Sequence, residues 1–141
     1  MGSRRSAWGL LLFCVSVACS TGSHGNGAPP VDASKALSSL SLAELQALCD
    51  WSTQQQGGYG INANCEATGV PLQTSSNQAE CVAEVMPHYS RPTCATTVGQ
   101  WTTCVRWLVA NWCSTMPAAR PAACDAFQTL CYGSQADAGT D

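Results

Sequence analysis

Apolar residues recur at helical spacing in four stretches of the chain, and nowhere do they alternate convincingly with period two. In the first stretch Leu42, Leu45, Leu48, Cys49 and Ser52 share a sector of roughly 120°, at about 100° per residue. Ser41 and Glu44 stand in capping-box register before this stripe, where hydroxyl and carboxylate satisfy amides that a helix start leaves free. Leu40 and Leu45 occupy the two positions of a hydrophobic staple around the same cap. Gly57-Gly58 closes the helix, because glycine readily adopts the left-handed conformation of a C-terminus. A second capping box, Thr97 with Gln100, opens a helix whose stripe is Val98, Trp101, Cys104, Val105, Leu108 and Trp112. Gly99 lowers helix propensity but sits in the first turn, where this is tolerable. A shorter helix is expected over 78–86, stopped by Pro87. The last begins near Pro121, suited to the first helical position, and puts Cys124, Phe127 and Cys131 on one face before Gly133. The expected fold is all-α: a small, disulfide-rich bundle of about four short helices with long loops, over residues 37–133.

Thin stripes on short helices do not hold a domain together in water. Cysteine supplies the remedy: 10 of the 141 residues are cysteine, which points to an oxidising compartment. Cys49, Cys65, Cys81, Cys94, Cys104, Cys113, Cys124 and Cys131 fall inside the domain and can close completely into bridges, each worth about 2–4 kcal/mol. Cys104 and Cys113 lie roughly 13 Å apart along a regular helix and on opposite faces, so they do not pair with each other. Cys124 and Cys131 share a face but lie roughly 10 Å apart, beyond the limit of about 7 Å between α-carbons. These four therefore bridge between elements. An antiparallel hairpin of the last two helices brings Cys113 to Cys124 near the turn, the preferred pairing, and Cys104 towards Cys131; the partners of the other four stay open. Structural zinc sites place about two to four residues between paired ligands. Here the closest pair, Cys124 and Cys131, has six between them, and no Cys-x-x-Cys occurs, so disulfides are expected and no metal or cofactor.

The N-terminus reads as a targeting segment. Arg4 and Arg5 precede a short apolar run, Ala7 to Ala18, that is too short for the roughly 20 residues a membrane-spanning helix needs. Residues 1–18 are expected to be a signal peptide. Ser16-Val17-Ala18-Cys19 resembles the lipobox of bacterial lipoproteins, with Ser16 where that family prefers leucine. The resemblance implies cleavage before Cys19, lipidation of Cys19, and attachment to the membrane through that lipid. It leaves the eight domain cysteines as an even set, whereas free secretion after cleavage at Ala18 leaves Cys19 unpaired. Ser20 follows the cysteine in place of the aspartate that retains lipoproteins at the inner membrane, so the resemblance implies an outer-membrane or surface location. Residues 20–36, with Gly22, Gly25, Gly27, Pro29 and Pro30, read as a flexible spacer, and residues 134–141 as a disordered polar tail.

From Cys19 onward four basic side chains face nine acidic ones, a balance of −5. An acidic chain with one lysine is a poor ligand for nucleic acid or anionic headgroups. His88 is the only histidine in the domain and reads as an exposed loop residue; a catalytic role needs a partner such as Asp50 or Glu84 beside it. Gly57-Gly58-Tyr59-Gly60 lacks the Lys-Ser/Thr pair and helix start of a phosphate-binding loop, and no nucleophile-elbow motif is present. No catalytic residue is assigned. Trp101 and Trp112 belong to the buried stripe. Trp51 and Trp107 lie about 60° beyond their stripes; packing against loops is their plainer role, and they are the candidate recognition anchors. Two functions lead, with an enzyme as a third possibility to which no reaction is assigned. The first is a lipid-anchored, non-enzymatic module that binds another envelope or extracellular component. The alternative is a carrier of a small apolar ligand between the helices. The plan is similar to that of plant lipid-transfer proteins, with about four helices and eight cysteines, but without their adjacent Cys-Cys and Cys-x-Cys motifs.

Overall fold

The computed structural model describes residues 27–133. The expected signal peptide, the lipidation site Cys19 and the polar tail lie outside the described residues. The described chain is mostly helical, with four α-helices, one small two-stranded sheet and four disulfides.

Helix α1 spans Leu42–Gln55, and its capping box is formed: Glu44 N–H donates to Ser41 Oγ at 3.3 Å and Ser41 N–H to Glu44 Oε2 at 2.9 Å. Leu40 packs against the core that contains Leu45, as a staple requires. The helix ends where Gly57 and Gly58 take φ of +103° and +119°, backbone that glycine tolerates best. The buried face is rotated from the expected one. Leu45, Leu48, Cys49 and Ser52 are inside, but Leu42 is 55% exposed and Trp51 only 8%. Trp51 is covered by a segment that composition alone marked as spacer: its Nε1 donates to the Gly27 carbonyl at 3.0 Å.

That segment corrects the expected domain boundary. Residues 27–36 belong to the fold, with Val31 in the core and Ala36 paired antiparallel with Thr97. Gly99 N–H donates to the Ala33 carbonyl and Val98 N–H to that of Lys35, both at 2.8 Å. A Cβ on Gly99 would sit 3.1 Å from the Ala33 oxygen, so this glycine is what lets the strap approach the start of the next helix. Lys35 Nζ lies 2.7 Å from Glu44, tying the strap to the cap of α1.

Strands β1 (Asn62–Asn64) and β2 (Pro71–Gln73) pair antiparallel, with Ala63 opposite Leu72. The expected all-α class is corrected to mostly helical. Each strand offers one half-buried apolar residue between two exposed ones, too short a run to show alternation in the sequence.

Helix α2 spans Gln78–Tyr89 and does not stop at Pro87. Proline removes only its own bond to the Ala83 carbonyl, and the last turn is held because Tyr89 is buried and Ser90 N–H closes onto Met86 at 3.0 Å. Helix α3 (Val98–Asn111) starts on the expected capping box, with Gln100 N–H donating to Thr97 Oγ1 at 3.3 Å. Helix α4 (Ala122–Phe127) has Pro121 as its N-cap and runs into a π-helical turn over Gln128–Tyr132.

The bridges are Cys49–Cys81, Cys65–Cys113, Cys94–Cys131 and Cys104–Cys124. The expected Cys113–Cys124 and Cys104–Cys131 pairings are thereby overturned. Helix α3 ends at Asn111, so Cys113 lies past it, exposed, and meets Cys65 at the start of the turn that joins β1 to β2. The connection over 112–121 carries the chain back before α4 begins, and Cys124 meets Cys104 in the middle of α3. Such bridges belong to an oxidising, extracytoplasmic compartment. Among the described residues no helix is long and apolar enough to cross a membrane. The core gathers Leu37, Leu45, Leu48, Val98, Trp101 and Tyr89 around Cys49–Cys81 and Cys94–Cys131.

Candidate functional site

The four helices do not close on one another completely. They leave a cleft of about 460 Å³ that opens to solvent, with the segment after β2 on its rim. Its floor follows from where the stripes meet. Trp101 of α3 and Tyr89 of α2 are both buried and stand edge to face with centroids 6.3 Å apart. Phe127 continues the series, 5.9 Å from Tyr89 and 5.4 Å from Tyr132, again edge to face. Such packing sets the edge of one ring against the face of the next, with Trp101 and Tyr89 as the buried floor and Phe127 and Tyr132 as its partly exposed continuation.

Val85 of α2 and Val105 and Leu108 of α3 add aliphatic surface, and the Cys104–Cys124 bridge forms part of the lining. Ser52 and Thr53 of α1 also line the cleft, yet their hydroxyls donate to the Cys49 carbonyl at 3.2 and 2.6 Å. Those two hydroxyls are thus spent within the helix, but Gln56, Gln73, Thr74 and Gln128 also line the cleft, so its surface mixes apolar and aromatic patches with polar side chains. Trp107 is half-buried at the margin, and its Nε1 donates to the Ala118 carbonyl at 3.1 Å. Asn111 fastens the same loop, its Oδ1 accepting from Ala118 N–H at 2.8 Å.

Charge enters at two places. Glu84 of α2 accepts the Ser75 hydroxyl at 2.7 Å and has no basic side chain within ion-pair distance among the described residues. Arg120 is matched by Asp125, with Nε 3.3 Å from Oδ1. Burial pushes the Tyr89 phenol well above its ordinary range, helped by neighbouring Tyr132 and opposed by a hydrogen bond from Trp101. Tyr132 is raised as well, by burial first and by Glu84 second. Both phenols therefore stay neutral across the physiological range.

The expected site residues separate cleanly. Trp51 is no surface anchor: it packs 5.8 Å from Trp101 inside the core, with the Arg106 guanidinium over its ring at 5.8 Å. Trp107 does line the cleft. His88 lies in α2 rather than a loop, half-buried and stacked on Tyr132 at 4.1 Å, with Nδ1 buried and unpartnered. The acids offered as its partners are engaged elsewhere. Asp50 accepts from Tyr59 and Gln78, each at 2.7 Å, and Glu84 from Ser75. Gly57, Gly58 and Gly60 serve the turn after α1, all with positive φ. The sequence reading missed Tyr89, Phe127, Tyr132 and Glu84 as members of one site. Their signal was a set of aromatics near helix ends, which no single periodicity joins.

A second groove of about 350 Å³ lies between the end of α1, the hairpin and α3, lined by Leu72, Val109 and Trp112. Comparison with family models, with curated proteins and with solved structures finds no match for this chain.

Proposed function

We propose that this is an exported, disulfide-stapled binding domain whose inter-helix cleft takes up a small, largely apolar molecule. One observation carries the reading: a domain of this size leaves about 460 Å³ unfilled at the junction of its helices and lines it with aromatic rings. Ligand sites usually fall between about 300 and 1,000 Å³, concave and mainly apolar with a few polar groups. A domain that worked by surface contact would fill this space and gather its apolar residues outside. Here the exposed ones, among them Leu42, Val70, Met86 and Met116, are spread over α1, the hairpin, α2 and the loop after α3.

Lipidation at Cys19 and an outer-membrane or surface location complete the proposal, supported by the lipobox-like segment and the even number of domain cysteines. Eight residue steps separate Cys19 from Gly27, at most about 28 Å of chain. The cleft then works close to the bilayer, the place from which an apolar molecule is most readily captured or delivered. Native mass spectrometry of membrane-derived protein tests both parts. The expected result is a lipid-modified Cys19 peptide and a small molecule that survives purification and leaves on unfolding. In parallel, apolar probes are expected to quench or shift tryptophan emission, through Trp101 and Trp107. Unmodified Cys19 removes the anchor; an empty cleft with emission unchanged by every probe removes the carrier.

A further inference from the structure

Resting on the reading of the cleft as a ligand site, we propose that its occupant is an organic cation: an alkylated ammonium group whose substituents lie against the aromatic walls and whose charge faces Glu84. The face of an aromatic ring is electron-rich, and a cation within about 6 Å of its centroid is held more strongly as water is excluded. Trp107, Phe127 and Tyr132 bring partly exposed ring surface to the cleft, over a floor of buried Trp101 and Tyr89. Glu84 lines the same space from its exposed rim, where it accepts the Ser75 hydroxyl and pairs with no basic side chain among the described residues, the ion pairs there being Lys35–Glu44 and Arg120–Asp125. Arg120, the basic side chain of the lining, is already paired with Asp125, which leaves Glu84 as the charge there without an ionic partner. The balance of −5 from Cys19 onward adds a long-range field of the same sign.

Octyltrimethylammonium, octanol and octanoate share one alkyl chain and differ in head-group charge, so calorimetric titration of the disulfide-intact protein separates the cases. The cation is expected to bind on the order of tenfold more tightly than octanol, with octanoate weakest. Glu84→Gln should remove about fivefold from the cation's affinity and leave octanol unchanged, while Glu84→Asp keeps the preference. Unaltered melting curves confirm that both variants fold. Co-sedimentation with phosphatidylcholine vesicles, lost in Glu84→Gln, would support the same chemistry presented by a lipid headgroup instead of a free solute. Equal affinities for the three probes, or a Glu84→Gln variant that binds the cation as before, overturn the cation assignment and leave the cleft as a neutral ligand site. Failure of all three probes refutes the cleft reading and this inference with it.

Discussion

Two of the four bridges make opposite predictions under two ideas of what a disulfide does. If a bridge acts only by restricting the unfolded chain, its worth grows with the loop it closes. Cys65–Cys113 closes a separation of 48 residues and Cys104–Cys124 one of 20. The loop-entropy relation then assigns about 4 kcal/mol to the first and about 3.3 kcal/mol to the second. The structure argues for the reverse order. The hairpin β1–β2 touches the helices little, and Cys65–Cys113 is its main tie to the end of α3. Once that bridge is removed the hairpin detaches while the helices stay folded, so the native state regains part of the freedom the unfolded state gains. Cys104–Cys124 instead pins α4, six residues long and marginal by itself, to the middle of α3. We expect the Cys65→Ala/Cys113→Ala variant to lose about 2 kcal/mol and the Cys104→Ala/Cys124→Ala variant about 3 kcal/mol. The larger loss should lower the midpoint of thermal unfolding by roughly 12–24 °C. Urea titration gives the free energies, and hydrogen exchange locates the change: the amides at positions 65 and 72 should exchange near the unprotected rate in the first variant only. A loss near 4 kcal/mol with hairpin amides still protected would refute the reasoning.

The rotated stripe of α1 is tested by a pair of truncations. Leu48→Ala, at a position 1% exposed, should cost about 2–5 kcal/mol, and Leu42→Ala, at 55% exposure, less than about 0.5 kcal/mol, both read from urea midpoints. Gly58 isolates backbone conformation from packing, because a Cβ there meets nothing within 4 Å yet φ is +119°. Gly58→Ala should therefore cost about 1–2 kcal/mol by thermal melting. The carboxyl of Glu44 is held down to about 2 from 4.5, chiefly by the Lys35 ammonium and then by the Ser41 amide and hydroxyl. A lowered folded value means that its stabilising effect is complete above 4.5 and disappears as pH falls towards 2. Acid titration of urea midpoints should show that decline, and Glu44→Gln should flatten it across the same window.

What could be read in advance was what is encoded locally. Both capping boxes formed because Ser41 with Glu44, and Thr97 with Gln100, need only three intervening steps of helix to meet. Parity and compartment made bridges predictable, but pairing depends on where helices end in space, and a helix that ends at Asn111, two positions before Cys113, was enough to redirect one bridge. Pro87 was misread for a related reason: the penalty for proline is local, while the burial of Tyr89 that outweighs it is not. The strap over residues 27–36 was hidden most completely. Its composition is that of a linker, and its docking depends on a missing Cβ at Gly99, more than sixty positions away. The cleft was illegible because its lining comes from four helices and a strand end, each contributing a few residues that locally look like ordinary core or ordinary surface.

The cleft and the bridges answer one physical question. A domain of about 100 residues buries too little surface to spare much of its interior, and side chains that fill the centre are what usually hold helices in register. Here that task passes to covalent links. Cys49–Cys81 fixes α1 to α2, Cys104–Cys124 fixes α3 to α4, and Cys94–Cys131 fixes the loop before α3 to the final turn. With the helix pairs tied at their flanks, the space between them can stay open to a ligand without the helices collapsing into it. Filling the cleft should consequently stabilise the fold at no expense to ligand-free structure. Replacing Val105 with phenylalanine, half-buried on the cleft wall, tests that directly. If the void is held open by the bridges, the larger ring is accommodated, the melting temperature holds or rises, and probe binding is lost. If instead the helices were free to close, the same change would overpack them and destabilise by about 1–3 kcal/mol. Thermal melting and probe titration on one variant therefore decide whether the bridges maintain the cleft.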